Sequence, residues 1–204
     1  MLTLHDFLDS GNGYKVRLVL AQLGLPYKLV EHDILQGATR TPIFLSKNPN
    51  GRIPTLELED GSFLAESNAI VYWLARDTPL WPQDKLEQAQ TLQWLFFEQY
   101  SHEPYVAVLR AWKHVGFGTN PERLARVPEL EQKAYAALGV MEGHLRTRAF
   151  FVGERYGLAD VALYAYTHVA EEGELSLAAY PNIRAWLARV AEQPGHVPIT
   201  FRPA

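Results

Sequence analysis

The chain of 204 residues contains no cysteine. That absence removes disulfides, thiolate metal ligands, a cysteine nucleophile and any Cys-x-x-Cys redox pair together, so any thiol chemistry must use a thiol from outside the protein. Basic residues are also in short supply: 19 Lys and Arg against 23 Asp and Glu leave a net charge of −4. Without a basic surplus the chain cannot neutralise a run of phosphates, which argues against nucleic acid and against anionic membrane surfaces as partners. No apolar run approaches the roughly 18 residues of a transmembrane helix. The start, Met1-Leu2-Thr3-Leu4-His5-Asp6-Phe7, has no basic leader ahead of an apolar stretch. These absences predict a cytoplasmic protein away from membranes. The seven histidines, at 5, 32, 102, 114, 144, 168 and 196, include no i, i+4 pair that would set two imidazoles on one helical face, so no metal site is expected.

What is present suits a folded chain, with 48% hydrophobic and 21% charged residues. Length alone allows one large domain or two small ones. Leu2 and Leu4 alternate with polar neighbours, and the turn residues Asp9-Ser10-Gly11-Asn12-Gly13 follow. Val16, Val19, Leu20 and Leu23 then recur at helical spacing, with Gly24 supplying a left-handed end. Tyr27 to Ile34 reads as a second strand, and Gln36 to Lys47 as irregular or weakly helical. Thr55-Leu56-Glu57-Leu58 and Ser62-Phe63-Leu64-Ala65 flank Glu59-Asp60-Gly61, where Asp-Gly supplies the positive φ angles of a tight antiparallel hairpin. Ser67 can cap a helix carrying Ile70, Trp73 and Leu74 inward, and Thr78-Pro79-Leu80-Trp81-Pro82 ends it. Beyond Gln83 only helical periodicity remains, as in Leu130, Ala134, Leu138, Met141 and Leu145, and in Ile183, Trp186, Leu187 and Val190. At Gly157-Leu158-Ala159-Asp160, Asp160 can accept the cap residue's N–H as in a capping box, although the cap position holds Gly157 rather than Ser or Thr. The expected organisation is a domain over 1–77, a linker over 78–82 and a helical domain over 83–204.

The order strand, helix, strand, hairpin, helix, with Asn50-Gly51-Arg52-Ile53-Pro54-Thr55-Leu56 entering the hairpin and Glu66-Ser67-Asn68-Ala69-Ile70 leaving it, resembles the cytosolic glutathione transferase family. The Gly157-Leu158-Ala159-Asp160 turn and Tyr180-Pro181-Asn182-Ile183 with Trp186 extend the resemblance over nearly the whole chain. It implies an α/β thioredoxin-like domain followed by an all-α domain, a homodimer, and glutathione as co-substrate with no metal. It also implies a cis Pro54 that presents the Ile53 backbone to the cysteinyl part of glutathione. Glu66 and Ser67, at a helix start, would take the γ-glutamyl ammonium and carboxylate. For the glycyl carboxylate, Gln36, Arg40, Lys47 and Arg52 all stand in the stretch the family uses.

A free thiol has a pKa of about 8.5, and the thiolate is the nucleophile. Lowering that pKa by about two units takes roughly 2.7 kcal/mol, which a hydroxyl donor and helix N-terminal amides can supply in a dry site. The family places the donor either on a tyrosine at the end of the first strand or in the turn after it. Phe7 lacks a hydroxyl, so Ser10 is the expected donor, with Asn12 as the alternative and Tyr14 as a third candidate. His102, Tyr105, Leu109 and Trp112 fall at helical spacing and are expected to line a pocket for a small hydrophobic electrophile, although a packed amphipathic helix accounts for them equally. Glu98 and Gln99, in a segment that resembles bacterial members, are candidates to reach a dimer partner's site. Two rivals remain. Gly11-Asn12-Gly13 could open a dinucleotide fingerprint, but Val16 stands in place of its third glycine and no further parallel strands follow. A glutathione-binding or partner-binding module without catalysis would need the binding motif and not Ser10.

Overall fold

The computed structural model describes residues 1–203. The chain divides into two compact units: Met1–Thr78 with the segment from Pro194 onward, and Pro79–Gln193.

The first unit runs β1 (Leu2–Asp6), α1 (Gly11–Gln22), β2 (Tyr27–Glu31), α2 (Pro42–Lys47), β3 (Thr55–Glu57), β4 (Phe63–Ala65) and α3 (Ser67–Ala75). The sheet order is β2-β1-β3-β4, with β1 parallel to β2 and antiparallel to β3, and β3 antiparallel to β4. Helix α1 makes the crossover that a parallel pair requires, and Gly24 ends it at φ 63° as the sequence predicts. The Gln36 to Lys47 stretch is more ordered than its lack of periodicity suggests. Two short 3₁₀ turns precede α2, which Thr41 caps by accepting from the Phe44 N–H at 3.3 Å. The β3–β4 connection spans Glu59-Asp60-Gly61 as expected, and it differs only in that Asp60 does not take a positive φ. Gly61 N–H donates to Leu58 C=O and Leu58 N–H to Ser62 C=O, so three residues form the loop and only Gly61, at φ 83°, is left-handed.

Helix α1 is enclosed nearly all round, with only Asn12, Ala21 and Gln22 partly exposed. Tyr14, Val16, Leu18, Val19 and Leu20 have no exposed surface, and neither do the charged Lys15 and Arg17 carried between them. Arg17 Nε donates to Asp6 Oδ2 at 2.9 Å, Nη2 to the Leu8 carbonyl at 2.6 Å, and Nη1 to the carbonyls of Ile199 and Phe201. Burial pushes the Asp6 carboxyl up to about 6, and the Arg17 guanidinium beside it holds it from rising further. The segment from Pro194 onward therefore belongs to the first unit, although the sequence pattern counts it with the helices of 83–204. Arg17 and Tyr14, whose hydroxyl donates to the Val197 carbonyl at 2.7 Å, are the physical reason.

The second unit is helical: α4 (Lys85–Phe97), α5 (Glu103–Arg110), α6 (Pro121–Leu145), α7 (Leu158–Thr167) and α8 (Pro181–Ala191). Wide π-type turns, Glu98–His102 and Ala111–Val115, flank α5. Pro104 explains the first, because it has no N–H to give the preceding turn. Leu130, Ala134, Leu138, Met141 and Leu145 on α6 are buried, as are Ile183, Trp186 and Val190 on α8. Asp160 ties the unit together. Its carboxylate accepts from the N–H of Gly157 at 3.0 Å, the N–H of Phe151 at 3.1 Å and the Trp186 indole at 2.8 Å. Burial pushes its pKa up to about 7 against those donors. The missing Ser or Thr at the cap has a steric cause: a Cβ on Gly157 would lie 3.1 Å from the Leu80 carbonyl oxygen. No helix among the described residues is long and apolar enough to cross a membrane.

Candidate functional site

Strand register assembles the site. His5 pairs with Thr55 and Thr55 with Ala65, so the chain leaving β1, the chain entering β3 and the chain leaving β4 meet at one end of the sheet. Those three segments carry the Ser10 turn, Ile53-Pro54 and Glu66-Ser67. The Ile53–Pro54 bond is cis.

Ser10 caps α1, its Oγ accepting from the Gly13 N–H at 3.2 Å. Asn12 lies in the first turn of that helix, and its Oδ1 accepts from Ser67 Oγ at 3.2 Å. Beneath them the Lys15 ammonium donates to Ser67 Oγ and to Asn68 Oδ1, each at 3.4 Å. The N-termini of α1 and α3 thus converge, and each brings N–H groups that have no partner within its helix. Ser67 is the first residue of α3 and not its cap; the cap position is Glu66, whose side chain makes no cap bond. Glu66 is exposed and sits at φ 67°, ψ 113°, a conformation that costs a non-glycine residue about 1–3 kcal/mol.

The other expected residues are distributed unevenly. Arg40 Nη1 donates to the Asn50 carbonyl at 3.0 Å, and Lys47 pairs with Glu57 at 3.2 Å while lying over the Phe63 ring. Arg52 and Gln36 are exposed, with the Arg52 carbonyl held by Asn48 Nδ2 at 2.8 Å. The Tyr14 hydroxyl, the third candidate donor, is committed to Val197. His102, Tyr105 and Trp112 each have a different partner. His102 is fully buried and bonds Thr167 Oγ1 at 3.0 Å; the Tyr105 ring lies under Lys133, and that of Trp112 beside Arg123 and Arg126. Glu98 is buried and accepts from its neighbour Gln99 at 2.8 Å.

Lys15, Asn68, Asp6 and Arg17 went unrecognised in the sequence. The available signal was the apolar run around Lys15 and Arg17, which already implies that both charges are buried and must find partners. Among the described residues no group of three or more His, Asp or Glu is placed to hold a metal ion.

Comparison with known proteins agrees with this geometry. The family model for the glutathione S-transferase N-terminal domain matches residues 4–82, and that for the glutathione S-transferase C-terminal domain matches residues 95–194. A crystal structure of glutathione S-transferase from Pseudomonas fluorescens is 50% identical, with a TM-score of 0.94 over 97% of this chain and 98% of that one. A glutathione transferase from Burkholderia graminis, solved with two glutathione molecules bound per subunit, is 30% identical, with a TM-score of 0.83 over 95% of this chain and 85% of that one. The disulfide-bond oxidoreductase YfcG of Escherichia coli is 30% identical over 92% of this chain and 89% of its own length. With both domain models matched in order and the cis Ile53–Pro54 bond and the Glu66-Ser67 helix start at one end of the sheet, the chain belongs to the glutathione S-transferase family.

Proposed function

We propose that the protein is a glutathione-dependent transferase that binds glutathione on its first unit and directs the thiolate at a small hydrophobic electrophile. The Ile53 backbone pairs with the cysteinyl part of glutathione, while Glu66 and Ser67 take the γ-glutamyl end. Arg52 and Gln36, whose side chains are exposed, serve the glycyl carboxylate better than Arg40, which holds Asn50. Ser10 and Asn12, at the N-terminus of α1, favour the thiolate through a hydroxyl or amide donor and the helix dipole. Tyr105 and Trp112 are the aromatic contacts for the electrophile. The active species is a cytoplasmic homodimer. The observation that carries this reading is the Ser67 to Asn12 hydrogen bond, which joins the γ-glutamyl motif to the turn bearing the thiolate donors.

A second reaction is favoured by the absence of cysteine and by the likeness to YfcG. Bound glutathione thiolate attacks one sulfur of a disulfide, forms a mixed disulfide with it and expels the other sulfur as a thiolate. A second glutathione then resolves the mixed disulfide, giving oxidised glutathione and a second thiol. No protein sulfur takes part.

The test is a glutathione titration followed by turnover with an activated chloronitrobenzene, an organic hydroperoxide and a small disulfide. Micromolar to millimolar binding with turnover of at least one acceptor is expected. Binding with no turnover of any of them overturns the enzyme in favour of a binding module, and no binding overturns both.

A further inference from the structure

The guanidinium of Arg17 is fully buried, and its donors reach three separate pieces of chain. One is Asp6 on β1, the second is the Leu8 carbonyl, and the third is the segment from Pro194 onward, through the carbonyls of Ile199 and Phe201. Asp6 in turn uses Oδ1 to accept from the Phe7 N–H at 2.7 Å, and the Phe7 carbonyl accepts from the Ser10 N–H at 2.8 Å. Both residues between β1 and the Asp9-Ser10 turn are therefore held by one ion pair. The same pair sets the far side of the turn, since Gly13 packs so closely on Asp6 that a Cβ there would meet Oδ1 at 1.7 Å.

The late segment is anchored independently of Arg17. Tyr14 donates to the Val197 carbonyl at 2.7 Å and contacts His196 at 3.3 Å, and Arg202 pairs with Glu31. Its carbonyls therefore fix where the Nη1 end of the guanidinium lies. Because the guanidinium is planar and rigid, fixing that end also fixes Nη2 and Nε.

We propose that Arg17 is a positioning residue for the thiolate-binding turn, and that the docked segment from Pro194 onward determines where it holds that turn. The catalytic consequence rests on Ser10 or Asn12 being the thiolate donor; the mechanical coupling does not. A donor displaced by a fraction of an ångström still permits glutathione to bind through Ile53, Glu66 and Ser67, so the loss falls on thiolate stabilisation and kcat, not on binding.

Two variants test this. Arg17→Lys keeps the charge opposite Asp6 but loses the fork that spans Leu8 and Ile199. Tyr14→Phe leaves Arg17 and Asp6 intact and releases only the late segment, through Val197 and His196. In both, amide hydrogen exchange at Ser10 and Gly13 is expected to quicken, the bound glutathione thiol to titrate at higher pH, and kcat to fall roughly tenfold or more in Arg17→Lys and less in Tyr14→Phe, with KM for glutathione within about twofold. If Arg17→Lys does not fold, Tyr14→Phe makes the comparison alone. Unchanged exchange at Ser10 and Gly13 in the folded variants overturns the proposal. Faster exchange with an unchanged thiol titration upholds the coupling and overturns Ser10 and Asn12 as the donors.

Discussion

Ser67 donates its hydroxyl hydrogen to the Asn12 carboxamide oxygen across 3.2 Å, and the contact joins residues 55 positions apart on two helix N-termini. Asn12 is therefore oriented by Ser67 on α3, whereas Ser10 is oriented by its own helix through the Gly13 N–H. The two candidate donors are built in different ways, and their substitution should separate them.

Ser10→Ala is expected to lower stability by about 1 kcal/mol, the usual effect of losing an N-cap. If Ser10 is the donor, the bound glutathione thiol also titrates at higher pH. Asn12→Ala, which removes no cap, is expected to weaken glutathione binding by releasing Ser67. Urea unfolding and the thiolate absorbance titration, run on both variants, assign the role. A thiol that titrates identically in wild type and Ser10→Ala excludes Ser10.

Glu66→Gly is expected to raise stability by about 1 kcal/mol, because glycine relieves the strain at φ 67° and gives back part of the gain as backbone entropy. Glutathione affinity should fall in the same variant. A Glu66→Gly protein less stable than wild type would show that Glu66 is held by packing and not strained by it.

How much of this was legible in advance depends on the range of the interactions. The α1 end at Gly24, the Thr55 to Ala65 hairpin and the buried stripe of α6 follow from local periodicity and turn chemistry, and they stand where the sequence predicts. The Ser10, Ile53-Pro54 and Glu66-Ser67 segments were legible as motifs. What escaped was set by partners distant in sequence. Glu66 takes the cap position because α3 begins one residue earlier than its Ser67 suggests. His102 turns inward because Thr167, 65 residues away, offers it a hydroxyl. Lys15 and Arg17 are held by partners that local sequence does not reveal, Ser67 and Asn68 for the one, Asp6 and Ile199 for the other.

Gly13→Ala is expected to be among the most damaging single-methyl additions in the first unit. The new Cβ would occupy the space of the Asp6 carboxylate, which cannot withdraw without leaving Arg17 unpaired. Breaking a buried pair in this way costs about 3–5 kcal/mol. Chemical denaturation of Gly13→Ala against Gly11→Ala gives the comparison, and a difference below about 1 kcal/mol, the ordinary effect of a surface change, refutes the claim of close contact.

Asp160 should leave a signature in the pH dependence of stability. Its folded pKa, about 7, lies above the unfolded value near 3.8, so the folded state holds the extra proton between those values. Stability from this group is therefore complete below about pH 4 and declines as pH rises toward 7, with a slope of at most about 1.4 kcal/mol per pH unit. Asp160→Asn carries no such titration. Its deficit relative to wild type should be largest near pH 4 and shrink toward pH 8, measured as the difference between two denaturation curves at each pH. A deficit that grows with pH would mean that the Gly157, Phe151 and Trp186 donors outweigh burial.

The docking of Ile199 and Phe201 against Arg17 also has a consequence for biosynthesis. A ribosome translates Met1–Thr78 and then the whole of Pro79–Gln193 before those two carbonyls exist. During that interval Arg17 lacks part of its hydrogen bonding, beside the turn that carries Ser10. The proposed glutathione site is encoded in the first 78 residues, but it reaches its final form only after Ile199 and Phe201 have been made.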